Sequence, residues 1–232
     1  MPASTSSEHG AQRLSALTAS ALATAAGGAM DAWVFLAHGV FATAQSGNVV
    51  LFGIALAGGH LSRATTHLPS FLAFLAGLLA SRWSGELIKR SGGNSRNIRL
   101  GAECLMLVML GLVATRLPGR IVTACVGFIA AVQITSLSRI GSWSFNTGMM
   151  TGNLRSSATA LVKATTGSRE EWPHAGAMIV LCVAFAVGVT LGAWLTPRIG
   201  PATLAAVAAL IALVIVVGPP DLDPIPDWSQ LD

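Results

Sequence analysis

Charge in this chain is confined to short clusters, and the long stretches between them hold one charged residue or none. A helix rises 1.5 Å per residue and the hydrocarbon layer of a bilayer is about 30 Å thick, so roughly 20 mostly apolar residues make one crossing. Of the 232 residues, 53% are hydrophobic and 10% are charged, against about 25% charged in a soluble domain. The chain therefore reads as an all-α integral membrane protein with the lipid bilayer as its first partner. It is one compact membrane domain with short tails.

The apolar stretches are 14–42, 68–88, 98–115, 120–138, 142–162, 174–195 and 201–218. A short piece, 49–59, ends in Gly58-Gly59 and is too short to cross alone. Pro69, Pro118, Pro173, Pro197 and Pro201 fall at or near segment ends, where a missing N–H is tolerated. Residues 1–13 read as a polar tail, and 219–232 as a Pro- and Asp-rich one. Arg13 followed by apolar sequence to Ala26 imitates a signal peptide. The hydrophobic run continues through Trp33, Val34, Phe35 and Leu36, which is too long for a cleaved segment, so a retained first span is expected.

Two motifs interrupt this apolar sequence, Ser46-Gly47-Asn48 and Thr151-Gly152-Asn153. Each is followed at equal spacing by Ala-Leu, at Ala55-Leu56 and Ala160-Leu161. Further on, Phe74, Gly77 and Trp83 are matched by Phe185, Gly188 and Trp194. The correspondence suggests an internal duplication, with repeats at 14–118 and 119–218. Duplicated membrane halves with broken helices often place a site at their interface. The stretch 142–162 is too polar to face lipid and is expected to be buried in protein or to line water.

Two topologies compete. If both Gly-Asn segments cross, there are eight spans and parallel repeats. If both are re-entrant, there are six spans, two short broken helices and two pseudo-symmetric halves in inverted orientation. With the basic loop 89–99 placed inside, the six-span arrangement puts ten Lys and Arg residues inside and four outside, and the eight-span arrangement eight and six. The positive-inside rule therefore favours six spans with both termini cytoplasmic.

The net charge of +4 lies in loops between apolar segments, which is a topology signal, so no nucleic-acid partner is expected. Cys104, Cys125 and Cys182 sit in apolar segments, odd in number and without zinc spacing, and read as small buried hydrophobes. Phosphate loops, nucleophile elbows and His-Glu-x-x-His are missing, so neither an enzyme nor a cofactor is expected.

Asp31 is the sharpest candidate for chemistry. A charge at the bilayer centre costs about 2.5–3.5 kcal/mol on insertion scales, so it must pair, bind a cation or carry a proton. The structural alternative is a carboxylate locked by hydrogen bonds or paired with Arg139. His38 lies seven residues on, along the same helix face. Gln45, Ser46, Gly47 and Asn48, with Thr147, Thr151, Gly152 and Asn153, are read as capped helix starts turned into the protein, suited to an anionic group. Arg139 and Arg155 are candidate partners for Asp31 or for an anion, with Arg155 expected to be buried. Glu103 is expected to snorkel or to pair with Arg99. His60, His67 and His174 read as loop residues.

The run Gly28-Ala29-Met30-Asp31-Ala32, followed by Phe41-Ala42-Thr43-Ala44-Gln45-Ser46-Gly47-Asn48, resembles the YoaK-like family of small bacterial membrane proteins. In the second half Gln133, Arg139 and Thr151-Gly152 match that pattern, whereas Ile134 and Thr135 replace its Gln-Asn asparagine. The resemblance covers about residues 14–218 and implies a multi-pass protein of the bacterial inner membrane, with no substrate attached. The combined expectation is a small secondary transporter of a polar or anionic small molecule, open to assembly as a homodimer. A non-transporting scaffold, sensor or accessory subunit is the alternative.

Overall fold

The computed structural model describes residues 6–90, 94–140 and 142–219, so the C-terminal tail lies almost wholly outside the described residues. Among the described residues the chain is all-α apart from one hairpin of two-residue strands. Its long helices are α1 (Ser6–His38), α4 (Leu68–Arg90), α5 (Ser95–Val113), α6 (Gly119–Ser136), α8 (Trp172–Ile199) and α9 (Thr203–Val217). Two further helices carry the polar motifs in their first turns, α2 (Gln45–Ala57) and α7 (Met150–Thr165). The one-turn helix α3 (Leu61–Ala64) and the strands β1 (Arg139–Ile140) and β2 (Trp143–Ser144) complete the order.

Among the described residues, five helical stretches are long and apolar enough to cross a membrane. The last, Arg169–Val217, is broken into α8 and α9. The break falls at Gly200, whose φ of 55° only glycine adopts freely, followed by Pro201. Large apolar side chains such as Leu72, Leu75, Leu79, Leu105, Val183 and Val187 are exposed on α4, α5 and α8, as a lipid-facing surface requires.

Two expectations are corrected. Residues 6–13 are helical and extend α1, and Gly10 to Arg13 project from its exposed start. The stretch 142–162 is not one segment: β2 and a turn precede α7, which begins only at Met150.

Helix α1 is the centre of the core. It buries Ala16, Ala19, Ala23, Ala26, Ala29, Met30, Trp33 and Val34. The small residues let neighbouring backbones come close, which is how helices associate where lipid removes the hydrophobic drive. Its main partner is α8, and α4 packs correspondingly on α6. The two matched glycines lie at these two crossings. A Cβ on Gly188 would collide with the Ala25 carbonyl of α1, and one on Gly77 would lie 2.8 Å from the Phe128 carbonyl of α6.

Contacts along the helices fix their directions. On α4 and α6, Ser70 meets Gly127 and Gly77 meets Ala131; on α1 and α8, Gly28 meets Phe185 and Ala29 meets Gly192. Both pairs run parallel. Helices α5 and α9 run antiparallel, since Gly111 meets Pro201 while Arg96 donates to the carbonyl of Pro219 at 2.6 Å. Helices α1 and α6 are also antiparallel, with Gly119 beside His38 and Gln133 donating to the Ala23 carbonyl. The short connection 114–118 turns the chain back from α5 into the adjacent α6, so α1, α5 and α8 point one way and α4, α6 and α9 the other. The order α1, α4, α5 is matched by α6, α8, α9 in reversed direction, the arrangement expected of six spans with two re-entrant pieces.

The crossings yield a stability prediction. Gly188→Leu must push α8 off α1, and overpacking costs about 1–3 kcal/mol. The thermal midpoint in detergent should fall by several degrees. Gly176→Ala, on the same helix with nothing within 4 Å of the new methyl, should leave it unchanged or raised.

Candidate functional site

Gly39, with φ 68°, closes α1 by donating its N–H to the Phe35 carbonyl at 2.8 Å. The next residues fold back beside α1 as non-helical chain, and Val40, Ala42 and Thr43 are buried. Their backbone groups have no helical partners, so side chains must supply them. Asp31 Oδ1 accepts the N–H groups of Ala42 (2.6 Å) and Thr43 (2.8 Å), and Oδ2 meets the Thr43 hydroxyl. Asp31 itself is 4% exposed. Asn48 brackets Phe41 at two points, accepting from its N–H and donating to its carbonyl, both at 2.8 Å. Gln45 accepts from Asn48 at 2.9 Å and donates to the Ala42 carbonyl at 2.7 Å. Ser70 of α4 donates to Phe41 as well.

The second break repeats the device. Asn153 accepts from the N–H of Asn146 at 3.0 Å and donates to its carbonyl at 2.8 Å. Each asparagine thus grips the backbone seven residues before it. The Asn146 side chain in turn takes the Gly148 N–H at 2.8 Å. Thr43 and Gly148 each stand five residues before their asparagine, and they touch: the Thr43 hydroxyl lies 3.0 Å from the Gly148 carbonyl. Thr147 is fully buried against α1, where a Cβ on Gly27 would lie 2.9 Å from its carbonyl. Gly27 is close to the midpoint of the apolar stretch of α1, so the two breaks meet deep inside the bundle.

The capping expectation is corrected. Helix α2 starts after Ala44 and α7 after Met149, and neither has a side-chain cap. The asparagines sit inside the first helical turn and bond outward to the incoming chain instead. Ser46, Thr151 and Gly152 are exposed, and Gly47 packs under the Phe41 ring. Gln133 is buried on α6 beside Gly27.

The Asp31–Arg139 pair does not form among the described residues, because Asp31 spends its acceptors on the break and Arg139 is exposed on the hairpin. Arg155 is exposed too, against the expectation of burial. Helix α7 buries only one polar face, with Asn153 and Ser157, and turns Arg155 toward a cavity of about 260 Å³ shared with Lys163, Glu171 and His174. There Ser156 contacts His174 Nε2 at 3.1 Å, and His174 Nδ1 contacts Glu171 at 3.0 Å. Glu103 neither snorkels nor reaches water: it is 0% exposed, and its carboxyl oxygens have no hydrogen-bond partner among the described residues.

His38 lines a second cavity, of about 420 Å³, with His60, Arg63 and His67. The loop reading missed this group. Of His60, Arg63 and His67 only Arg63 lies in a helix, the single turn α3; His60 precedes that turn and His67 precedes α4, so no helical spacing in the sequence marked the group. The same cavity holds Leu51 and Ile54 of α2. Helix α2 therefore returns to the end of the bundle where α1 finishes, as a re-entrant piece does. Stacking of Trp143 on His174 likewise brings the start of α8 back to the end of α6.

The family signature "Protein of unknown function (DUF1275)" matches residues 19–217, a stretch that takes in both breaks, α1 from Ala19 onward and the other five long helices. The chain belongs to the DUF1275 family. The YoaK-like resemblance falls within DUF1275. No curated protein and no solved structure matches the chain.

Removing a bracket should be visible locally. Asp31→Ala strips buried acceptors from Ala42 and Thr43, and an unsatisfied buried group costs about 1–3 kcal/mol. Hydrogen exchange of peptides covering 40–44 should accelerate roughly tenfold or more. Asn153→Ala should do the same for 145–149 while leaving 40–44 slower to respond.

Proposed function

We propose that this DUF1275 protein is a small secondary transporter of the bacterial inner membrane, carrying a polar or anionic small molecule in exchange for movement of a proton at Asp31. The reading has six spans, both termini on the cytoplasmic face, and two inverted halves of common origin. It draws on ion gradients and involves no bond-making chemistry.

One observation carries it. The single hydroxyl proton of Thr43 faces two acceptors, Asp31 Oδ2 and the Gly148 carbonyl. With Asp31 ionised, the hydroxyl serves the carboxylate and the Gly148 carbonyl loses that donor. With Asp31 protonated, the carboxyl donates to Thr43, and Thr43 is free to donate to Gly148. A proton on one half thereby changes the bond that ties it to the other. Opposed halves with breaks meeting at the centre are the setting in which alternating access works, and intramembrane acids at such points are functional by default.

The alternative is a scaffold in which Asp31 only locks the fold; its three satisfied contacts favour this reading. Proteoliposomes holding a pH-sensitive dye, challenged with a panel of small metabolites, distinguish the two. The transporter reading expects a substrate-dependent change of internal pH that Asp31→Asn abolishes while expression and thermal stability persist. Absence of any substrate-dependent proton movement in the unmodified protein, or flux indifferent to Asp31→Asn, overturns it.

A further inference from the structure

The cavity of about 420 Å³ falls within the size range of small-molecule sites, roughly 300–1,000 Å³. Its walls come from four places. His38 ends α1, His60 follows the Gly58-Gly59 turn that closes α2, Arg63 lies on α3, and His67 precedes α4. The turn is specific: Gly59 has φ 72°, and the His60 N–H reaches back to the Ala55 carbonyl at 2.9 Å. The lining gathers three imidazoles and a guanidinium, with no carboxylate among the described residues. Arg120 adds positive charge nearby, through its contact with Thr65 at 3.3 Å.

His67 is the informative member. It is 6% exposed, yet its Nδ1 has no hydrogen-bond partner among the described residues. Buried ring nitrogens are normally paired, and His67 is one of the residues that line the cavity. The lining also includes apolar side chains, Leu51, Ile54 and Phe35, whose ring stacks on Phe41 at 4.7 Å.

We propose that this cavity binds a small organic anion. The acid group lies against Arg63, His60 and His67, and the apolar body rests on Phe35 and Ile54. A guanidinium forks a carboxylate or phosphate at two points, and an apolar wall facing a few convergent polar groups is the usual construction of a ligand site. The same acid-plus-apolar chemistry is carried by a free organic acid and by an anionic phospholipid. The inference deepens the transporter reading by naming its ligand class. Its test reads binding, so it stands or falls apart from proton flux.

The full-length protein in phosphatidylcholine nanodiscs is titrated calorimetrically with benzoate and, separately, with neutral benzamide. Saturable benzoate binding is expected, with benzamide weaker by at least about tenfold. Arg63→Gln and His67→Phe should each weaken benzoate by about tenfold. Arg63 is exposed, so its variant should keep the wild-type melting temperature. In a second arm, nanodiscs contain phosphatidylglycerol. If benzoate does not bind but phosphatidylglycerol is retained by the wild type on native mass spectrometry and lost from Arg63→Gln, the site stands and the anion is a lipid. Retention of neither probe, benzamide binding as tightly as benzoate, or affinity unchanged in both variants overturns the proposal.

Discussion

A backbone N–H or carbonyl that leaves a helix inside hydrocarbon must find its partner within the protein, because lipid offers none. This chain leaves the helix twice in its interior, and the rest of the architecture answers that demand. Asp31 supplies two acceptor bonds to the turn before α2, and Asn48 and Asn153 each close two bonds onto the chain seven residues earlier. An asparagine side chain carries one acceptor and donors on one planar group, so it can pair with a backbone residue as a neighbouring strand would. That explains why both motifs use asparagine and why serine or threonine alone would not serve.

Close packing makes these bonds reachable. The breaks touch only because α1 lies at the centre, lined with alanine and glycine, and because Gly77 and Gly188 let α4 and α8 approach their partners at contact distance. With the halves opposed in direction, Thr43 and Gly148 become neighbours. Two cavities lie at opposite ends of the bundle, where α2 and α7 return toward the surface. Basic groups collect in both of these spaces, His60 and Arg63 at one and Arg155 and Lys163 at the other.

Much of this was legible in the sequence. The six long helices, the two short ones and the positions of the breaks follow from charge-free runs interrupted by Ser-Gly-Asn and Thr-Gly-Asn, because hydrophobic length is a local property. The matched Phe-x-x-Gly pattern, which the sequence offers only as a sign of duplication, falls at the tight helix crossings. Partners in space were less accessible. Capping by the motif residues was the local expectation, and the asparagines instead bond outward to chain seven residues away, a choice set by the shape of the turn. Arg155 and Glu103 were misplaced in opposite directions: composition described the average of a segment, and burial depends on which face a neighbour covers. His38 and His67 are 29 residues apart in sequence, and only the return of α2 brings them to one cavity.

The account stands on the meeting of the two breaks in a dry interior. Solid-state NMR of the isotope-labelled protein in lipid bilayers measures this without altering a residue. A direct carbon–carbon cross peak between the Thr43 side chain and Gly148, with both sites slow to receive magnetisation from water, is the predicted result. Absence of that cross peak, or rapid transfer from water to both residues, would contradict it.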